Sequence, residues 1–476
     1  MLKILTEISR IIVGTVFIIS GLVKSNDIWG FVYKLEEYFE PGALNLEFLT
    51  PLALEIAIFV VIGEILLGVA LLFGALPKLT TILTLFMMVF FTWLTYYTSH
   101  CDPQSTVEII NDLGVKEVID TQCVLECGCF GNAIPLTALQ SFYKDLIILF
   151  LFIPFVISVF RGRVKLNTRK ENRYIIPASI IFSLVFSLGF LDWPFSTLFV
   201  AILLGVGAIL LKRLNKKYAV LGVFMSSLII SGLFQWKAYA HLPHKEYTPY
   251  AIGESIRENR KTADELGLPS PQFATKYTFK NKTTGQDTIV LSTDYLKIYN
   301  AEWFKNRYEL VTYEGESISV PVYKKDDKGN LITDKDGNNI ELETYVPKIQ
   351  DLNPTTYEGE EVVEDLINNS GYTFFFISKD LENAEIGTMS VISNLSKAAQ
   401  KNNIKFYGLC NSAYEITEEF RHKHQLGFEF LEMDFIELKM MIRDNPGLML
   451  IHDGKVVNKW AWRDFPTWDE VQEDIK

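Results

Sequence analysis

Seven apolar runs fill the first half of this 476-residue chain, each near the roughly 20 residues that a helix needs to cross a hydrocarbon core. They fall at Ile4–Val23, Leu52–Phe73, Thr80–Ser99, Leu146–Phe160, Tyr174–Leu191, Phe195–Leu211 and Ala219–Trp236, the fourth and sixth being short. No small-residue cleavage site follows the first run, and Lys24 closes it directly, so it reads as a span and not a secretory leader. Residues 1–236 carry equal numbers of basic and acidic side chains, and residues 237–476 carry the whole net charge of −12. The expected architecture is a membrane helical bundle of about seven spans followed by an acidic soluble part. With no basic domain, nucleic acid is excluded as a partner; the lipid bilayer is required as one.

Basic residues set the expected orientation. Six lie between Arg161 and Arg173, four between Lys212 and Lys217, and Lys78 sits in the short turn after the second run. With seven spans all three loops share one side, which the rule makes cytoplasmic. The N-terminus is then inside, and the soluble half emerges outside the cytoplasmic (inner) membrane, in the periplasm.

Two charges interrupt the apolar runs. Arg10 lies about two turns into the first span and Glu64 near the middle of the second, which runs the other way. Intramembrane charges tend to pair or line a site, and a pair between these two is one reading; Arg10 snorkelling to the surface beside a protonated Glu64 is the other. Tyr96, Tyr97 and His100 end the third span and read as interfacial.

Four cysteines share the loop between the third and fourth spans: Cys101, Cys123, Cys127 and Cys129. Four thiols can pair in three ways. One way joins Cys101 to Cys123 and leaves Cys127 and Cys129, across Gly128, as a redox-active pair whose tight bridge would be easily reduced. Two structural disulfides bracing the loop are the alternative. C-x3-C-x-C is not a zinc spacing, so no metal is expected. No haem, iron–sulfur or dinucleotide motif is present, so no cofactor is evident. Cys410 stands alone in the soluble half and reads as a buried hydrophobe.

In the soluble half, His241 and His244 flank Pro243, which keeps them off a regular helix face. Residues 237–356 read as a linker followed by β-hairpins, with a strand–turn–strand pattern in KYTFKNKTTGQDTIVLS. Beyond residue 357 the pattern is helix 360–367, strand Tyr372–Ser378, helix Ala384–Lys401, strand Ile404–Cys410, helix Ala413–Leu426, strand Phe428–Phe435, helix Ile436–Asn445, then Pro446, a β-hairpin and a final helix.

Two resemblances follow. Residues 1–160 resemble the MauE/DoxX superfamily through Arg10-x3-Gly14-x2-Phe17-Ile18-x-Ser20-Gly21-x2-Lys24, the span bearing Glu64, and Cys127-Gly-Cys129-Phe-Gly-Asn. This implies a four-helix membrane core, with 161–236 adding three spans. It also implies a thiol-redox role at Cys127 and Cys129, and no further; DoxX-related members feed quinones, which leaves a quinone open as the acceptor. Residues 357–476 resemble an extracytoplasmic α/β thioredoxin-like domain, with Pro446 at the family's cis-proline position and a binding groove beside it. Where that family carries Cys-x-x-Cys, this chain reads Lys379-Asp-Leu-Glu-Asn-Ala384, so the tail itself has no dithiol. The expected function is electron exchange between periplasmic thiols, on a thioredoxin-like or other thiol-bearing partner, and the membrane. The alternative is a non-enzymatic envelope scaffold whose tail binds a partner. Which of the two holds decides whether the chain is an enzyme.

Overall fold

The computed structural model describes residues 2–102, 105–110, 116–124, 128, 130–299, 301–325, 331–334 and 338–475. Its first half is a bundle around α1 (Leu2–Asn26). A short amphipathic α2 (Ile28–Phe39) follows, then α3 (Ala53–Phe73), α4 (Pro77–Ser99), α5 (Ala138–Phe160), α6 (Arg169–Phe186), α7 (Phe195–Arg213) and α8 (Lys216–Ala240). A hairpin of β1 (Thr106–Ile110) and β2 (Lys116–Asp120) lies between α4 and α5.

Six helices among the described residues are long and apolar enough to cross a membrane: Glu47–Phe73, Pro77–Ser99, Ala138–Phe160, Arg169–Leu191, Phe195–Arg213 and Lys216–Ala240. The first of the seven expected spans is not among these six. It forms α1, which carries Lys3, Glu7, Arg10 and Lys24 and is packed by α3, α5, α6, α7 and α8. Its partners are helices on most sides, so it tolerates polar residues that a lipid-facing helix would not.

Local sequence explains where these helices begin and end. Thr137 with Gln140 and Thr168 with Glu171 form reciprocal caps at the starts of α5 and α6. Pro77 opens α4. α3 stops at Gly74, whose φ of +64° closes the helix and whose missing side chain admits the carbonyl of Lys165. α1 and α3 run antiparallel at close range: a Cβ on Gly68 would lie 2.5 Å from the Gly14 carbonyl oxygen. Small residues that let backbones approach are the usual means of joining helices in lipid.

The second half begins with α9 (Ile256–Arg260) and α10 (Ala263–Leu266). β3 (Gln272–Asn281), β4 (Asp287–Leu291) and β5 (Tyr308–Val320) make an antiparallel sheet in the order β4-β3-β5, with α11 (Ser292–Ile298) and α12 (Glu302–Arg307) inserted. The remaining elements are α13 (Val363–Ile367), β6 (Tyr372–Ser378), α14 (Met389–Lys401), β7 (Lys405–Cys410), α15 (Tyr414–Lys423), β8 (Glu429–Glu432), α16 (Phe435–Met441), β9 (Gly447–His452), β10 (Lys455–Ala461) and α17 (Trp468–Asp474). Their sheet has the order β10-β9-β6-β7-β8. β6, β7 and β8 are parallel, and β9 and β10 are antiparallel to their neighbours.

Alternation along β6 builds two cores. Phe374 and Phe376 pack with Ile392, Phe406 and Phe428 on one face. Phe375 and Ile377 pack with Leu409, Met441 and Met449 on the other, which also takes in Tyr250, Ile256, Ile349 and Leu352. The domain therefore recruits residues well before 357, from the segment expected to be linker. Helix α14 starts at Met389 and not Ala384, because the Asp380 carboxylate binds the backbone N–H groups of Glu382 and Asn383 and holds a turn there.

The Gly14–Gly68 contact gives the first expected outcome. Gly68→Ala forces α1 and α3 apart and should lower bundle stability by about 1–3 kcal/mol, measured by thermal unfolding in detergent. An Ala substitution at Gly189, where a Cβ meets nothing within 4 Å, should leave it unchanged.

Candidate functional site

Ser20 and Lys24 stand one helical turn apart on α1, and antiparallel packing brings Glu64 of α3 opposite them. Lys24 Nζ donates to Glu64 Oε1 at 2.7 Å, to Glu64 Oε2 at 2.9 Å and to Ser20 Oγ at 2.8 Å. Both charged side chains are almost fully buried. The aromatic rings of Phe31 and Phe91 lie 5.6 and 5.4 Å from Nζ, within reach of a cation–π attraction.

The pairing of Arg10 with Glu64 is not formed. Arg10 sits beside the far end of α3, where its guanidinium donates to the carbonyls of Leu71 at 3.0 Å and Leu72 at 2.9 Å, and to Asn167 Oδ1 at 2.7 Å. Two helical turns separate those carbonyls from Glu64, about 11 Å along the axis. Arg10 therefore caps the negative end of α3 and ties it to the basic loop. The partner missed in the sequence was Lys24, read as the end of a span and the last residue of the span-one motif but not as the counter-ion of Glu64. Its signal was the spacing: Lys24 is one turn beyond Ser20, on the face that carries Gly14 and Gly21.

Lys24 is a corner where cavities meet. On one side it lines a small chamber with Ser20, Glu64, Lys144, Asp145 and Phe130. Asp145 accepts from Thr95 Oγ1 at 3.1 Å and is 3.1 Å from Lys144 Nζ. On another side Lys24 lines a cleft with Asp27, Lys34, Gly128, Phe130 and Arg443. Cys127 and Cys129 lie outside the described residues. Of their neighbours, Val124 and Phe130 are buried, Phe130 beneath Lys144 Nζ at 5.2 Å, and Gly128 lies against the Lys34 side chain. Cys101 and Cys123 form a disulfide with a Cα–Cα distance of 5.7 Å, tying the end of α4 to this segment. Cys410 is buried beside Tyr357 and Thr417. Among the described residues no group of three or more His, Cys, Asp or Glu side chains could hold a metal ion.

Residues 2–105 match the family model of methylamine utilisation protein MauE. These residues form a MauE family domain. No curated protein and no solved structure matches the chain. The MauE domain holds α1 to α4, and with them Lys24 and Glu64, whereas Gly128, Phe130 and Asp145 lie beyond it.

The soluble half docks on the MauE domain through α2. Arg443 grips Asp27 with Nε at 2.9 Å and Nη2 at 2.9 Å. Lys379 Nζ donates to Tyr33 Oη at 2.6 Å, and Lys439 lies 3.5 Å from Glu36. Lys379, Lys439 and Arg443 all face the Tyr33 ring. At the root of the linker, Asn26 and Lys245 exchange two hydrogen bonds, at 2.7 and 3.1 Å. Pro446 follows a cis peptide bond and is buried. Next to it, Asn445 is locked onto Ser378 Oγ, Lys379 N–H and Asp380 O. The groove expected beside Pro446 is therefore not open: Lys379 and Arg443, its neighbours, are engaged by the chain's own α2.

Burial shapes the electrostatics of this contact. Burial first, and then the charge of Arg443, lower the Lys379 ammonium from 10.5 to about 7. Burial pushes the Tyr33 hydroxyl well above its ordinary range. Burial works against the charge of Arg443 too, but the Asp27 carboxylate outweighs it and raises its pKa.

Two outcomes follow. Lys24→Met strands a buried carboxylate and should destabilise the bundle by about 3 kcal/mol. The double variant Lys24→Met/Glu64→Leu should recover most of that loss in the same detergent unfolding measurement. Docking should also depend on pH. Between about pH 7 and 10.5 a docked Lys379 is neutral while an undocked one keeps its proton, so the undocked state binds more protons and docking strengthens as pH rises through that window. Hydrogen-exchange protection of α2, compared with Lys379→Met at each pH, should show wild type less protected than the variant below pH 7 and the gap closing above it.

Proposed function

We propose that this multi-pass membrane protein exchanges thiol–disulfide electrons at Cys127 and Cys129. The observation that carries the reading is the setting of Gly128 and Phe130: the residues on either side of Cys129 line one cleft with Lys24, Lys34 and Arg443. Exchange runs through the thiolate, its attacking and leaving form, and this cleft offers a polar wall in which each of these cations is paired: Lys24 with Glu64, Lys34 with Glu37 and Arg443 with Asp27.

In the proposed step a partner thiolate attacks the Cys127–Cys129 bridge, a mixed disulfide forms, and the other cysteine leaves as a thiolate. A second partner thiol then resolves the mixed disulfide, leaving the partner oxidised and both cysteines reduced. Re-forming the bridge releases two electrons and two protons. A membrane quinone, an acceptor left open by the sequence, takes up that number of each.

The soluble half is read as a thioredoxin-like domain without the dithiol. Its mixed five-stranded sheet with helices on both faces supports this, as does Lys379-Asp-Leu-Glu-Asn-Ala384 after β6. It serves as a wall of the cleft, supplying Arg443, and not as a free arm. The scaffold reading, with a partner held at Pro446, is disfavoured because the side chains there already hold α2. With α1 as a seventh crossing, the basic loops at Lys78, Arg161–Arg173 and Lys212–Lys217 lie on the cytoplasmic side. The cleft and the soluble domain then face the periplasm.

Cys127→Ser or Cys129→Ser should abolish turnover and trap a mixed disulfide through the remaining thiol, detected by non-reducing electrophoresis and peptide mass spectrometry of acid-quenched cells. If both variants cycle like wild type across a graded redox buffer, the reading fails.

A further inference from the structure

Contacts fix which loops share an end of the bundle. Asn26, at the close of α1, meets Lys245 of the segment after α8, and Tyr247 of that segment donates to the carbonyl of Leu191, just before α7. At the opposite end Arg10 joins the α5–α6 loop to the last carbonyls of α3. α7 leads away from the first end and α8 leads back to it, so the turn Lys212–Lys217 lies at the same end as the α3–α4 turn and the α5–α6 loop. That end gathers Lys78, the six basic residues of Arg161–Arg173 and the four of Lys212–Lys217, in a chain whose net charge is −12. The other end is acidic around α2, with Asp27, Glu36, Glu37, Glu40 and Glu47 against Lys34.

One of these basic loops is held in a fixed shape. After α5 the chain turns at Gly162, whose φ is +68°, and the Arg163 N–H binds the Ser158 carbonyl at 2.9 Å. Val164 is buried among Val13, Leu71 and Phe155. Asn167 donates from its backbone to the Phe73 carbonyl at 3.0 Å and from Nδ2 to the Leu72 carbonyl at 2.9 Å. The Lys165 carbonyl enters the space that Gly74 leaves open. The loop is thereby fastened to the α3–α4 turn at Val164 and Asn167. Arg161, Arg163 and Lys165 stand exposed around these anchors, and Lys78 stands exposed just past the turn. Among the described residues the side chains of these four make no ion pair and no hydrogen bond. The Lys212–Lys217 turn has no such frame: Leu214 and Asn215 are exposed, and the Asn215 side chain caps nothing.

α4, α5 and α6 are each able to cross a membrane, so cations at this end of them stand where a bilayer carries its phosphates. Like charges held side by side repel, and an anionic headgroup relieves that cost. The guanidinium fork suits phosphate oxygens, and lysine adds a point charge. α4 and α5 pack together, and their turns next to these cations expose Leu79, Ile82, Ile157 and Phe160, on which acyl chains can lie. We propose that Arg161, Arg163 and Lys165, with Lys78, bind the phosphate of one anionic phospholipid in the leaflet away from the soluble domain. The lipid ties the α3–α4 turn to the α5–α6 loop from outside, as Asn167 and Arg10 do from within. Nothing in this depends on Cys127 or Cys129.

The test titrates the full-length protein in dodecyl maltoside with phosphatidylglycerol, or with phosphatidylcholine of the same acyl chains, and counts bound lipid by native mass spectrometry. One phosphatidylglycerol should bind saturably, about tenfold or more tighter than phosphatidylcholine. Arg161→Gln/Arg163→Gln/Lys165→Gln loses no internal bond and should weaken phosphatidylglycerol binding about tenfold or more. Lys78→Gln should act in the same direction by a smaller factor, and it carries the test should the triple variant fold poorly. Lys401→Gln/Lys405→Gln/Lys455→Gln makes the same change of net charge on the soluble domain and should alter nothing. Lys212→Gln/Arg213→Gln/Lys217→Gln removes three charges from the unframed turn at the same end and should cost about threefold or less. An equal loss in that variant means a diffuse basic surface and overturns the site. Equal affinity for the two lipids, or unchanged affinity in both the triple variant and Lys78→Gln, also overturns it. Inorganic phosphate at the lipid's concentration should not compete; displacement by it assigns the cations to a free anion and overturns the lipid reading.

Discussion

The buried ion pair between Lys24 and Glu64 is the contact on which the rest is arranged. Two opposite charges held away from water are tolerable only with close geometry and further hydrogen bonds. Here both carboxylate oxygens and Ser20 meet one ammonium within 2.9 Å. That closeness depends on α1 and α3 touching backbone to backbone, through Gly14 against Gly68 and Gly21 against Val61 and Ile65. The same packing places Arg10 over the end of α3, so a single helix–helix contact fixes both intramembrane cations. Because Lys24 stands at the end of α1 next to the turn into α2, it also becomes the common wall of the chamber and the cleft.

The second constraint is the seating of the soluble domain on α2. Arg443 reaches across more than four hundred residues of sequence to hold Asp27, and Tyr33 is gripped by side chains from the loop after β6 and the α16–β9 turn. The linker is not slack. Asn26 pins Lys245, Tyr250 donates to Glu437, and Gly253 and Ile256 bond to the backbone of the β9–β10 hairpin region. A domain anchored at both its entry segment and its face moves as part of the membrane bundle.

Much of this was legible in the chain. The apolar runs gave the long helices, because an uninterrupted apolar stretch of that length has few other fates, but α5 starts at Ala138 and α6 at Arg169, before their runs at Leu146 and Tyr174, since their polar first turns are capped by Thr137 and Thr168. Alternation and turn residues gave β6, β7 and the β9–β10 hairpin, and Asp453-Gly454 marked the hairpin turn. Less legible was α14, whose start shifted when Asp380 captured two backbone N–H groups. The status of Tyr250 and Ile256 was also hidden, since a linker residue and a core residue look alike until the sheet that covers them is folded.

The sequence by itself determined which segments are apolar enough for lipid, where the charge lies, and that the four loop cysteines occur together without a second dithiol in the tail. These are local properties, set by composition and spacing. Only the tertiary structure decided that Glu64 belongs to Lys24 and not to Arg10, that Cys101 joins Cys123, and that the face beside Pro446 is held by α2. Each of those choices depends on the relative height of residues on different elements, which follows from the packing of helix against helix and of domain against bundle.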